Sequence, residues 1–258
     1  MKGFDVMKHA TLQIVRNPGT VLRIFAPPLA LSFLLVWLMG LQFILSQVHF
    51  NNALMRGLVP WGKVSLVTVG GILVFVWSAV AWHRFILLVE RPQGVRPTVQ
   101  AAVFGLFLGK ALLIGILSAL ITILFGVIVG VVYGFSAGIT KAGPGWFTHV
   151  VAFALGFPVL ALVLRIAPVL PGVAAGEGTS VRDAWNATAG QFWVLLTVLG
   201  GLITFSLGLD WLAFKMAMTP FSAVGFIWVS VSLSLKSVLA LSVATTIYGH
   251  YVEKRPLV

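Results

Sequence analysis

The stretch 24–46 reads IFAPPLALSFLLVWLMGLQFILS, 23 residues without a charged side chain. As a helix rising about 1.5 Å per residue it reaches about 34 Å, enough to cross the hydrocarbon core of a bilayer. Five further stretches repeat the pattern, and together they predict membrane spans at about 22–46, 64–84, 110–136, 149–170, 191–210 and 223–249. Lipid offers no partners to backbone N–H and C=O groups, so spans of this length must satisfy them within helices. The expected fold is an all-α, polytopic bundle of six transmembrane helices forming one domain over 1–258.

Composition supports the same class. Hydrophobic residues make up 59% of the chain and charged residues 9%, with a mean hydropathy of +1.05, well outside the range of soluble domains. The formal charge of +11 raises nucleic acid as a partner. Its distribution argues against that, because the Lys and Arg residues flank apolar stretches and form no basic run. Cysteine is absent, which excludes disulfides, thiol catalysis and thiolate metal sites.

Those flanking cations also orient the chain. One side collects Lys2, Lys8, Arg16, Arg23, Arg84, Arg91, Arg96, Lys110, Arg165, Arg182, Lys254 and Arg255, twelve in all. The other collects Arg56, Lys63, Lys141 and Lys215, which is four, and Lys236 remains within the sixth span. The positive-inside rule then places both termini in the cytoplasm. Trp61, Trp146 and Trp211 stand at the opposite interface as belt anchors.

The first 17 residues are too charged for a secretory signal and predict an amphipathic helix in the headgroup plane. Its apolar face is expected to carry Phe4, Met7, Thr11 and Ile14, and Asn17, Pro18 and Gly19 to end it. Pro92, Gly94 and Pro97 predict that the helix leaving span two stops near Glu90 or Arg91. Ser180 and Asp183 fit a capping box, which predicts a short interfacial helix before span five. Prolines at 27, 28, 158, 168 and 171 predict kinks in spans one and four.

Two features inside the spans attract functional readings. Gly126, Gly130, Gly134 and Gly138 recur at every fourth position, continuing Ala111, Gly115 and Ala119. Such a stripe admits a close helix, either a neighbour within the bundle or, in the oligomeric reading, a second copy or another membrane subunit. Lys236 lies near the middle of span six, where a cation costs roughly 2.5–3.5 kcal/mol. Ser232 stands one turn before it, and Ser230, Ser234 and Ser237 line an adjacent face. No carboxylate is expected inside any span to pair with Lys236. It is expected either to bind an anionic group in a central cavity or to make structural contacts.

At the exit of span two, Trp82, His83 and Arg84 precede Glu90, and the exit of span six carries Tyr248, His250, Tyr251, Glu253 and Arg255. Imidazole and guanidinium groups at headgroup depth suit phosphate through charge-assisted hydrogen bonds. His83, Arg84, Arg165, Arg182 and His250 are therefore the candidate ligands of membrane phospholipids. The histidines are too scattered for a metal site, and no nucleophile beside a base, phosphate loop or zinc helix occurs. The sequence predicts a protein that is not an enzyme and needs no cofactor.

The residues Trp82-His83-Arg84 with Glu90, and the run Arg165, Pro168, Pro171, Glu177-Gly178, Ser180, Ala184, Thr188, Gly190 and Trp193, carry a resemblance. On these the chain resembles a bacterial family of six-span inner-membrane proteins of unknown function. That family is similar to the membrane domain preceding some glycerophosphodiester phosphodiesterases. The resemblance implies a place in the bacterial inner membrane and no catalytic residue. The expected function is binding of lipid headgroups by an accessory or envelope-organising factor. The alternatives are a small transporter or lipid-flipping facilitator centred on Lys236, and a subunit of a larger membrane complex.

Overall fold

In the computed structural model the described residues are 3–40, 54–89, 100–140, 146–216 and 223–257. Six helices among them are long and apolar enough to cross a membrane, so the chain is a multi-pass, all-α membrane protein. In chain order the helices are α1 (Gly3–Val15), α2 (Pro18–Leu38), α3 (Trp61–Leu88) and α4 (Ala101–Thr140). They continue as α5 (Trp146–Ile166), α6 (Val169–Ala174), α7 (Val181–Ala187), α8 (Phe192–Lys215) and α9 (Ala223–Ile247), which ends in a π-helical turn at Tyr248–Val252.

Local chemistry accounts for most boundaries. Asn17 Nδ2 donates to Gln13 O (2.8 Å) and covers a carbonyl at the end of α1, while Pro18 opens α2, where its missing N–H costs nothing. The α2 helix runs through Pro27 and Pro28. The last part of the span expected at 22–46 lies outside the described residues. The exit of span two stops one turn early, at Leu88, with Val89 in the left-handed region (φ 57°). Glu90, Arg91 and Arg96 lie outside the described residues.

Span four is divided. Its helix ends at Ile166, and Pro168 starts α6, a six-residue helix of which Val169, Pro171, Gly172, Val173 and Ala174 are buried. The capping box is present in full: the Ser180 side chain accepts from Asp183 N (3.1 Å), and Ser180 N donates to Asp183 Oδ2 (2.9 Å). The Ser180 hydroxyl, which donates to Asp183 Oδ2 (2.6 Å), and after it the Ser180 N–H, with the Arg182 charge adding less, hold the Asp183 carboxyl below its ordinary value. The short helix expected before span five is therefore observed as α7.

The core is built at the end of the bundle that carries both termini. Trp82, Ala79 and Val80 of α3 meet Ile24 and Phe25 of α2, Phe107 of α4, Val169 and Val173 of α6, and Leu241 of α9. Burying Trp82 requires a partner for its N–H, and Nε1 donates to Ser242 Oγ (3.0 Å). Beyond this end α4 is largely exposed, with Ile116, Leu120, Ile123, Val127 and Val131 facing outward, as lipid-facing positions do.

The expected first helix is observed as α1, with Phe4 of its expected apolar face 74% exposed and turned away from the bundle. Gly3, Val6 and Ala10 are buried instead, packing on Leu195 and Val198 of α8 and on Val243, Ile247 and Tyr251 at the end of α9. Small residues won because α1 sits close: a β-carbon on Gly3 would lie 2.5 Å from Thr197 Cβ. At the glycine stripe, among the described residues, nothing approaches within 4 Å of where side chains on Gly126, Gly130 or Gly134 would start, and the surroundings of Gly138 lie outside the described residues. The close approach between α4 and α5 uses Gly156 of α5, against the Phe125 ring.

Candidate functional site

The end of the bundle that carries both termini is stitched by cations bonded to protein carbonyls. Arg84 Nη1 donates to Ala174 O at the last turn of α6 (3.1 Å). Arg165 Nη2 donates to Trp185 O in α7 (2.7 Å), and its guanidinium lies 3.6 Å from the Trp185 ring centroid. Orphan carbonyls and the negative end of the helix dipole favour cations at these positions. Tyr248, wholly buried at the start of the π-helical turn, donates to Glu177 Oε2 (2.5 Å) in the loop between α6 and α7. A side chain on Gly172 would collide with Thr179 and the Tyr248 ring, which explains a glycine inside so short a helix.

Beside this stitched cap lies a cavity of about 200 Å³, walled by α1, the exit of α3, the end of α9 and the tail. Its polar lining comprises His9, Gln13, Thr245, Thr246, His250 and Arg255. Thr245 is spent: its hydroxyl donates to Leu241 O (2.7 Å) and therefore accepts from His83 Nδ1 (2.7 Å). Thr246, only 3% exposed, makes no such back-bond, and its buried Oγ1 has no partner among the described residues. The same holds for Gln13 Oε1. Both residues border the cavity, but these two oxygens are themselves occluded from it.

The tail is held in place by its own bonds. Arg255 Nη1 donates to Leu87 O (3.1 Å), its Nε pairs with the Glu253 carboxylate, and its carbonyl accepts from His250 Nδ1 (3.0 Å). Burial, aided by the Glu177 charge, pushes the Glu253 carboxyl up, and Arg255 opposes the shift. The π-helical turn permits this arrangement. Its wider spacing bonds Glu253 N to Tyr248 O, and Arg255 N then reaches Gly249 O.

No protein-family model, curated protein or solved structure matches this chain. The assignment of a site therefore rests on geometry.

Of the five sequence-predicted headgroup ligands, His250 alone lines the cavity. His83 is fully buried, bonded to Thr245 and 6.0 Å from the Phe107 ring, so the rim position expected for it is corrected. Arg84 and Arg165 are half-buried and bonded to the cap; Arg182 is exposed on α7.

The expectation that Lys236 lacks a carboxylate partner is corrected: its Nζ lies 2.7 Å from Asp210 Oδ1, which the helix α8 carries as it runs on to Lys215. Ser232 is buried on the same helix. A second cavity of about 230 Å³, between α2, α3 and α9, is lined by Ser78, Ser230, Ser234 and Ser237 among apolar side chains, and Lys236 is not in its wall.

Sequence reasoning missed Gln13 and Thr246. A glutamine midway along an amphipathic helix looks like part of its wet face. A Thr-Thr pair closing an apolar stretch looks like ordinary helix with hydroxyls bonded back to the preceding turn.

Proposed function

We propose that this membrane protein binds phospholipid headgroups at the end carrying both termini and acts without catalysis, as an accessory or envelope-organising factor of a bacterial inner membrane. In this reading that end is cytoplasmic. The observation that carries it is the cavity lined by His9, His250 and Arg255, at the end where most of the chain's cations collect. A guanidinium supplies the charge that a phosphodiester seeks, and imidazole N–H groups supply further hydrogen bonds. The excess of cations at this end favours anionic lipid around it, each contributing about 1 kcal/mol near a charged surface.

The test is lipid retained per protein after gentle extraction from nanodiscs containing anionic and zwitterionic phospholipid, read by native mass spectrometry. Arg255→Gln should lower retention of anionic lipid several-fold, and an unchanged count refutes the proposal. Thiols introduced at Lys8 and Lys254 should react with an impermeant reagent only after the cytoplasmic face is opened. Reaction from outside intact cells reverses the sidedness.

A further inference from the structure

We infer that the tail, 253–257, is a strap over this cavity, which unlatches to admit a guest and closes again to retain it. The identity of the guest rests on the headgroup reading above; the movement rests on how the cavity is walled.

Among the described residues the walls are α1, α3 and α9 with its π-helical turn, and on the remaining side Arg255, Pro256 and Leu257. The helical walls are locked together. The α1 and α9 helices share the buried cluster of Val6, Ala10, Val243 and Ile247. The α3 and α9 helices are joined by the buried bonds of Trp82 to Ser242 and of His83 to Thr245. Parting any of these helices breaks a packed core, so the least costly opening is at the tail.

The tail is held lightly. After the π-helical turn the chain bends back through Lys254, whose φ of 61° is left-handed, a conformation that disfavours any residue with a β-carbon. Lys254, Arg255 and Pro256 are exposed, and Pro256 has no N–H to contribute. A backbone bond from Arg255 N to Gly249 O (2.8 Å) ends the turn. The fastenings to other elements are side chains: Arg255 Nη1 on Leu87 O (3.1 Å), and Leu257 against the cluster beneath α1. Strain at the bend and side-chain fastenings beyond it describe a segment of low local stability, from which binding-site lids are drawn. A guanidinium carries five N–H groups, so Arg255 can keep Leu87 O and hold a phosphate while the strap is shut.

The experiment mixes protein that retains phosphatidylglycerol in mild detergent with an excess of chain-deuterated phosphatidylglycerol, and native mass spectrometry follows the replacement. Leu257→Ser, which touches none of the cationic groups, should speed replacement about ten-fold by weakening an apolar fastening. The count of lipid retained at equilibrium should stay as it was, because a gate alters entry and departure alike. Leu257→Ala serves if the serine variant fails to fold. Unchanged replacement overturns the strap. So does a retained count that falls by the factor by which replacement rises, since Leu257 is then a contact of the guest.

Amide hydrogen exchange reads the movement without a guest. The Arg255 amide should exchange many times faster than those of the last turns of α9, and Leu257→Ser should speed it further with α9 unaffected. An Arg255 amide as protected as α9 overturns the strap even where lipid is retained. A fast Arg255 amide in a protein that retains no phosphatidylglycerol supports the strap and overturns the headgroup reading.

Discussion

Lys236 Nζ and Asp210 Oδ1 stand 2.7 Å apart, so the cation of the sixth span is answered by a carboxylate from the fifth. Helical side chains lean toward their own N-terminus. In these antiparallel helices Lys236 therefore leans away from the end carrying the termini, Asp210 leans toward it, and the two converge.

Asp210→Asn should lower thermal stability in nanodiscs by about 1–3 kcal/mol, less than for a fully buried pair because both groups are partly exposed. Adding Lys236→Met should recover much of the loss, with a coupling of about 1–2 kcal/mol. Melting of the two single variants and the double variant checks this, and strict additivity denies that the pair matters.

Arg165 should not tolerate lysine. Its guanidinium stacks on Trp185 and donates to Trp185 O, which a point-like ammonium cannot do together. Arg165→Lys is expected to cost about 1–2 kcal/mol. Melting of the variant measures the cost. In a background where Trp185 is the one tryptophan left, its emission should also shift as the ring loses its cover.

Gly3→Val should unseat the first helix, because its branched side chain meets Thr197 and the Val194 carbonyl. An introduced cysteine at Ala10, wholly buried when α1 is docked, should then react with a maleimide many times faster. Unchanged labelling means that α1 is already free in the membrane.

Acid should loosen α7. Asp183 is held below its ordinary value of 3.8 mainly by bonds from Ser180, so its contribution is complete above that value and is lost as pH falls through the lower folded value. The Ser180 and Asp183 amide resonances should move together below about pH 4, and Asp183→Asn should abolish the transition.

The six spans were legible because an apolar stretch of about twenty residues with at most a rare charge has few other fates. The capping box was legible because both of its partners lie within one turn. The pairing of Lys236 was not, since it depends on how far α8 extends, and an aspartate beside Trp211 looks like the start of a loop. The cavity was hidden for a different reason. Gln13 comes from the first helix and Thr246, His250 and Arg255 from the other end of the chain, a meeting of distant segments that periodicity does not register. The glycine stripe shows the converse: it is plain in the sequence, yet the packing glycine is Gly156, whose spacing carries no signal.

The seat of α1 on the end of α9 has a consequence for biosynthesis. Ala10 precedes Ile247 by 237 residues, yet both belong to one buried cluster with Tyr251. At about 5–20 residues per second the helix waits roughly ten seconds to a minute for them. Until then Leu195 and Val198 of α8 are the part of its seat made first, so the seat is completed only once the sixth span has been made.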